Sequence, residues 1–128
     1  MTNQEIKFAF FDGDNVGVTI EKNLTMGNVT EAKEISNAIK KSLDLMEVEI
    51  QKHHSVEIII IGGDDLLLKF IDNDINQQLI KNLIKIFEAT TSLSMSCGVG
   101  DSINEAIYNL HLAKLFGKAQ VYTPLKTG

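Results

Sequence analysis

Two apolar runs, Val56–Ile61 and Leu66–Ile71, are separated by only four residues, Gly62-Gly63-Asp64-Asp65. The first is β-branched throughout except for Glu57, and the link is built of residues that favour tight reversal. Two such runs joined by a Gly and Asp turn read as a β-hairpin. This pair constrains the fold more than any other feature, because a hairpin with an apolar face needs partners to cover it.

The partners are legible as stripes. From about Val29 to Lys52, Ile35, Ile39, Leu43, Met46 and Ile50 recur at spacings of three and four, one face of a long helix. Asp72 and Asn73 can cap a second helix running to about Ala89, with Ile75, Leu79, Leu83 and Ile86 inward. Ile6–Phe11 reads as a buried strand entering the loop Asp12-Gly13-Asp14-Asn15-Val16-Gly17, and Glu21–Asn28 as a polar connection. Leu93–Val99 is a further strand. Asp101 or Ser102 can cap a third helix that buries Ile103, Ile107, Leu110 and Ala113 and stops near Gly117. Gln120–Tyr122 is a short last strand before the lone Pro124. The order βαββαβ, with an added helix and short strand, predicts an α+β fold of the ferredoxin-like (RRM-like) kind, helices packed on one face of a largely antiparallel sheet.

At 128 residues, 44% of them hydrophobic, one domain spanning 1–128 is expected. The net charge is -5 and the 12 Lys and Arg are dispersed, which argues against gripping a long nucleic acid and for a small nucleotide, if any. A single cysteine, Cys97, offers neither a disulfide nor a metal-binding spacing and fits a reducing, cytoplasmic setting. The polar start from Met1 to Lys7 lacks a signal-peptide core, and no apolar run is long enough for a membrane helix. His53, His54 and His111 do not form a usable ligand set.

Chemistry concentrates in two acidic loops. Asp12 ends the first strand, Asp64 and Asp65 occupy the hairpin turn, and the βαββαβ order makes these strands central neighbours, so the carboxylates should meet at one sheet edge. Crowded carboxylates repel unless a cation compensates them, and hard oxygen ligands suit Mg²⁺ or Mn²⁺. Two such ions could activate a hydroxyl and stabilise a leaving pyrophosphate. Gly13, Gly62 and Gly63 leave room where backbone turns tightly or approaches a phosphate. Each loop alone is also an ordinary turn. Their conjunction at the ends of central strands is what favours a site.

Gly62-Gly63-Asp64-Asp65 after a β-branched strand resembles the GGDD signature of the polymerase subunit of type III CRISPR complexes, and is similar to the GGDEF turn of diguanylate cyclases. Ser96-Cys97-Gly98-Val99-Gly100, Glu105-Ala106-Ile107-Tyr108 and Ala113-Lys114-Leu115-Phe116-Gly117-Lys118-Ala119-Gln120-Val121 resemble the end of those palms. With the Asp-Gly-Asp-x-x-Gly start at Asp12–Gly17, the pattern looks like that of the minimal CRISPR polymerase family. The resemblance covers nearly the whole chain. Position 65 is Asp where diguanylate cyclases have Glu, and Leu66 follows where they have Phe, so their guanine preference does not transfer.

The resemblance implies a polymerase-type palm with Asp12, Asp64 and Asp65 as catalytic metal ligands and the Gly13 carbonyl as a further one. It offers Lys114 and Lys118 as triphosphate contacts, whose other reading is as cations complementing a helix C-terminus. Asp14 and Asn15 are candidates for ribose, base or metal, or for loop capping, and Tyr108 or Phe11 for base stacking or for core. The expected activity is joining nucleoside triphosphates, ATP before GTP, into a cyclic oligonucleotide in antiviral defence. Joining two nucleotides with so small a palm implies a homodimer or higher symmetric oligomer. Mononucleotide cyclisation, a GTP cyclohydrolase-like reaction and an inactive nucleotide sensor are the alternatives on the same fold.

Overall fold

In the computed structural model, which describes residues 5–123, the chain runs β1 (Ile6–Gly13), α1 (Val16–Thr25), α2 (Val29–Ile50), β2 (Val56–Gly62), β3 (Asp65–Ile71), α3 (Asp74–Thr91), β4 (Met95–Gly100), α4 (Ile103–Leu115) and β5 (Val121–Tyr122). The first four residues of the polar start and the lone Pro124 lie outside the described residues. The strands form one sheet in the order β2-β3-β1-β4-β5. β1 is antiparallel to both β3 and β4, β2 is antiparallel to β3, and β5 runs parallel to β4. This is the ferredoxin-like α+β arrangement with α4 and β5 appended.

Strand alternation and helical stripes meet in one core. Ala9 and Phe11 of β1, Leu66, Leu68 and Phe70 of β3, and Met95, Cys97 and Val99 of β4 point to the same side. Against them lie Ile39, Leu43, Met46 and Ile50 of α2 and Leu79, Ile80, Leu83 and Phe87 of α3. The α3 face is rotated from the expected one, since Ile75 is exposed and Asn76 is buried. The Asn76 amide donates to the Ile71 carbonyl at 2.7 Å and to Ser55 Oγ at 2.9 Å, which makes its burial tolerable. Asn73 caps this helix through the Asn76 N–H at 2.8 Å.

Two further elements depart from the sequence reading. Residues 16–25 are helical where only a loop and a polar connection were expected, and of this helix only Val16 is buried, with Ile20 packed partly against the core. Without an apolar stripe there was no periodicity to find. The second departure concerns α4, which crosses the sheet face opposite α2 and α3. A Cβ on Gly98 would fall 2.1 Å from the Leu110 nitrogen and 2.2 Å from the Ala106 oxygen, and one on Gly100 would fall 2.7 Å from the Ala106 nitrogen. Glycine at these alternate positions lets the α4 backbone lie directly on β4. Ala106, Asn109, Leu110 and Ala113 form the buried face of α4, whereas Ile103, expected inside, is partly exposed. All of β4 is consequently buried.

Gly98→Ala should destabilise the protein by roughly 1–3 kcal/mol, because backbone rather than a flexible side chain must move. Gly17→Ala should stabilise it by a few tenths to about 1 kcal/mol, as this helical glycine has open space around it. Urea unfolding of the two variants beside the parent checks both signs.

Candidate active site

Strand register brings the acidic loops together. Asp12 pairs with Asp65 on β3 and with Ser96 on β4. Gly62 pairs with Asp65, leaving Gly63 and Asp64 as a two-residue turn, and Gly63 sits at φ 59°, the left-handed conformation such turns demand. The Gly13 N–H donates to the Asp64 carbonyl at 3.2 Å, drawing the end of β1 against that turn. A Cβ on Gly13 would lie 2.6 Å from Val16 Cγ2 and 3.2 Å from Asp64 Oδ2, so this approach needs bare backbone. Carboxylate oxygens of Asp12, Asp64 and Asp65 lie within 4.8 Å of one another.

All three carboxylates are half-buried, and their ionisation is frustrated. Burial, then a proton shared with Asp12 and repulsion from its charge, pushes Asp64 up to about 6. Burial and the same neighbour, joined by the charge of Asp64, push Asp65 up to about 7. Burial also raises Asp12, but hydrogen bonds from Asp65, Lys114 and Asp64 outweigh it and hold Asp12 below the ordinary carboxylate value. The cluster carries more potential negative charge than it can express unaided. Three carboxylates and the nearby Gly13 carbonyl are a hard oxygen donor set, which fits Mg²⁺ or Mn²⁺.

Lys114 supplies the local countercharge. Its Nζ lies 2.9 Å from Asp12 Oδ2 and 3.3 Å from Asp14 Oδ1, and donates to the Gly13 carbonyl at 3.0 Å. Burial lowers the Lys114 ammonium, yet its hydrogen bond and attraction to Asp12, with Asp14 behind, raise it overall. Lys118, on the turn after α4, donates to Asn15 Oδ1. Asp14 does not face outward with them: it is 2% exposed and accepts from the Ser94 and Ser96 hydroxyls, each at 2.7 Å, and from the Ala119 N–H at 2.9 Å. Burial raises its carboxyl, but these donors and the Lys114 charge bring it below the ordinary value. Ser94 and Ser96 escaped the sequence reading. The signal was two hydroxyls two residues apart beside an apolar strand, which puts both on one face.

Gly62 and Gly63 are exposed at the mouth of the cluster. Phe11 is fully buried in the core, which removes it as a stacking surface, whereas Tyr108 is exposed on α4. A cleft of about 460 Å³ among Lys7, Phe70, Ile80, Val99 and Val121 includes none of Asp12, Asp64 and Asp65. The carboxylates of Asp12, Asp64 and Asp65 lie instead at the end of the paired strands β1 and β3.

No curated protein matches the chain by sequence. Among solved structures, the fold is similar to diguanylate cyclase SiaD from Pseudomonas aeruginosa, in complex with its activator SiaC, at 18% identity and TM-score 0.67, covering 94% of this chain and 50% of that one. It is similar to the Csm1-Csm4 cassette in complex with one ATP, at 16% identity and TM-score 0.67, covering 95% of this chain and 21% of that one. A bacterial light-regulated adenylyl cyclase aligns at 14% identity and TM-score 0.61, over 93% of this chain and 76% of that one. This chain therefore spans half or less of the first two, and at these identities what is shared is the cyclase palm fold. The sequence itself matches the model of the minimal CRISPR polymerase domain over residues 8–123, and across that span the chain belongs to the minimal CRISPR polymerase (mCpol) family.

Proposed function

We propose that this palm is a metal-dependent nucleotidyltransferase that joins nucleoside triphosphates, ATP before GTP, into a cyclic oligonucleotide, in the simplest case a cyclic dinucleotide, releasing pyrophosphate. The observation that carries this reading is the convergence of Asp12, Asp64 and Asp65 within 4.8 Å at the end of two paired central strands. Family membership supports it, and the likeness to a Csm1-Csm4 cassette solved with one ATP supports the choice of base. A setting in antiviral defence comes with the family resemblance alone.

Asp12, Asp64 and Asp65, with the Gly13 carbonyl, would hold Mg²⁺ or Mn²⁺. Bound there, the ions supply Lewis acidity towards a ribose hydroxyl and the triphosphate. Lys114, already lodged against Asp12 and the Gly13 carbonyl, is in place to pair with a phosphate oxygen, and Lys118 extends the cationic edge. Gly62, Gly63 and Gly13 keep side chains out of the way of the phosphates, and Asn15 borders the ribose or base. Positioning and fixed charge account for the catalysis, as in phosphoryl transfer generally. One open half-site holds one triphosphate, so two palms facing across a two-fold axis complete the reaction. Mononucleotide cyclisation is the second reading, favoured by the adenylyl cyclase likeness. Mass spectrometry of products from each triphosphate with Mg²⁺ or Mn²⁺ separates the two.

Asp64→Asn or Asp12→Asn should cut product formation by about 100-fold or more while leaving the fold intact, since removing one of several crowded carboxylates relieves repulsion. Parent-level turnover by Asp64→Asn would overturn the metal assignment.

Stability should also depend on pH in a defined direction. Between 3.8 and about 7, folded Asp64 and Asp65 retain protons that the unfolded chain has shed. The folded state then binds more protons, so stability without metal falls as pH rises through this window. Asp12 and Asp14, held below their ordinary value, contribute in the opposite sense only below 3.8. In melting curves, Asp65→Asn should flatten the fall relative to the parent. Mn²⁺ should raise the parent's Tm more at the alkaline end than at the acid end, and equal shifts at both ends would count against carboxylate ligation.

Assembly is testable by mixing. If both half-sites are needed and subunits exchange, adding Asp64→Asn subunits to the parent should depress activity beyond simple dilution. A rate strictly proportional to the concentration of parent chains, in mixtures and on dilution, would refute the facing-palms arrangement.

A further inference from the structure

We propose that Asp14 is a positioning residue: its buried carboxylate clasps the turn after α4 and thereby sets Lys114 against Asp12 and Lys118 against Asn15, governing how tightly a triphosphate is held. This rests on the reading of those lysines as triphosphate contacts.

The carboxylate is filled by its own protein. Oδ2 accepts from Ser94 Oγ at 2.7 Å and from the Ala119 N–H at 2.9 Å, and Oδ1 accepts from Ser96 Oγ at 2.7 Å and faces Lys114 Nζ at 3.3 Å. Four donors match the lone-pair capacity of an ionised carboxylate, so little remains to offer a ligand. The donors come from the start of β4, from α4 and from the turn that follows it. The backbone joins in, with the Asp14 N–H donating to the Ser94 carbonyl at 2.9 Å.

That turn needs an anchor. Lys118 at φ 60° and Ala119 at φ 52° are consecutive side-chain-bearing residues in the left-handed region, preceded by Gly117 at φ 122°. Such backbone persists only where surroundings over-determine it. Asp14 holds Ala119, and the next residue, Asn15, accepts from Lys118 Nζ. Residues 14–15 and 118–119 thus form a two-point clasp, with Lys114 one turn of α4 earlier and tied to the same carboxylate.

Asp14→Asn discriminates among these partners. An amide keeps one acceptor oxygen and turns the other position into a donor. The serine hydroxyls can rotate to accept from that donor. The Ala119 N–H and the Lys114 ammonium cannot, so one of them loses its acceptor whichever way the amide turns, and the other keeps only a neutral oxygen in place of a charged one.

The test uses the full chain, parent and Asp14→Asn, with two readouts. Amide hydrogen exchange across residues 117–120 should be about tenfold or more faster in the variant, corresponding to loss of one hydrogen bond to a charged group. Affinity for a non-hydrolysable ATP analogue with Mg²⁺ should weaken about tenfold for the same reason, with KM for ATP rising more than kcat falls. Parent-like exchange overturns the clasp. Faster exchange with parent-like analogue affinity reduces Asp14 to a structural role and overturns the proposal. If Asp14→Asn does not fold, the double variant Ser94→Ala with Ser96→Ala keeps the charge and removes two donors. It should shift both readouts in the same direction by a smaller factor, and parent-like values there overturn the proposal equally. Failure of the parent itself to bind the analogue would instead refute the nucleotidyltransferase reading, while the exchange measurement still judges the clasp.

Discussion

The antiparallel register of β1 and β3 sets the terms for everything at the acidic end of the sheet. Pairing Asp12 with Asp65 and closing the hairpin at Gly63 and Asp64 forces three half-buried carboxylates into one small volume. Like charges so placed are unfavourable unless protons or cations intervene. Both compensations have a counterpart in the protein alone, in the upward push on the Asp64 and Asp65 carboxyls, which favours their protonated forms, and in the Lys114 ammonium against Asp12. The register is not free to relax, because the same ladder seats Leu66 and Leu68 beside Ala9 and Phe11 in the core. Core packing therefore holds the carboxylates together against their repulsion.

The position of α4 is the second condition. Helices on one face alone would leave Asp12 without a lysine, since Asp12 points away from the main core. Gly98 and Gly100 remove the side chains that would otherwise keep α4 off the opposite face, and the Asn109 amide binds the Val99 carbonyl at 2.7 Å to fix its height. From there Lys114 reaches Asp12, Gly13 and Asp14 together. Backbone contact between helix and strand is thus linked directly to the charge balance of the site. The β2 and β3 side of the same face is left more open, with Ile60 exposed beside buried Leu67.

What was legible in the sequence follows from the same physics. The hairpin, the α2 stripe and the meeting of Asp12 with Asp64 and Asp65 could be read because turn chemistry, helical spacing and βαββαβ order are local or topological signals. α1 could not be read, as only Val16 of its residues is buried and its N-cap Asn15 makes no side-chain cap. The face chosen by α4 was hidden because its outward side carries Tyr108, Leu115 and Phe116, exposed apolar residues that blur the stripe. The partners of Asp14 were hidden for a further reason: its carboxylate is bound by Ser94, Ser96 and Ala119, which are distant in sequence. Likewise Asn76 rather than Ile75 lies inside α3 because its amide finds two partners, a fact no hydrophobic pattern encodes.

The signature turn itself bears on the question of base. Diguanylate cyclases, by the resemblance, carry Glu and Phe where this chain has Asp65 and Leu66. Leu66 is fully buried, packed with Phe11 and the other core residues, so the residue at this position answers to core volume and not to a ligand. Asp65 is held beside Asp12 by strand pairing, and its shorter side chain keeps the carboxylate at the sheet edge with the rest of the cluster. Cyclases and polymerases can therefore share this sheet end while differing in substrate, because fold and signature fix the acidic cluster but not the surroundings of the nucleotide. Under the proposed function, base selection falls to exposed side chains around the cluster rather than to Asp65 and the buried Leu66.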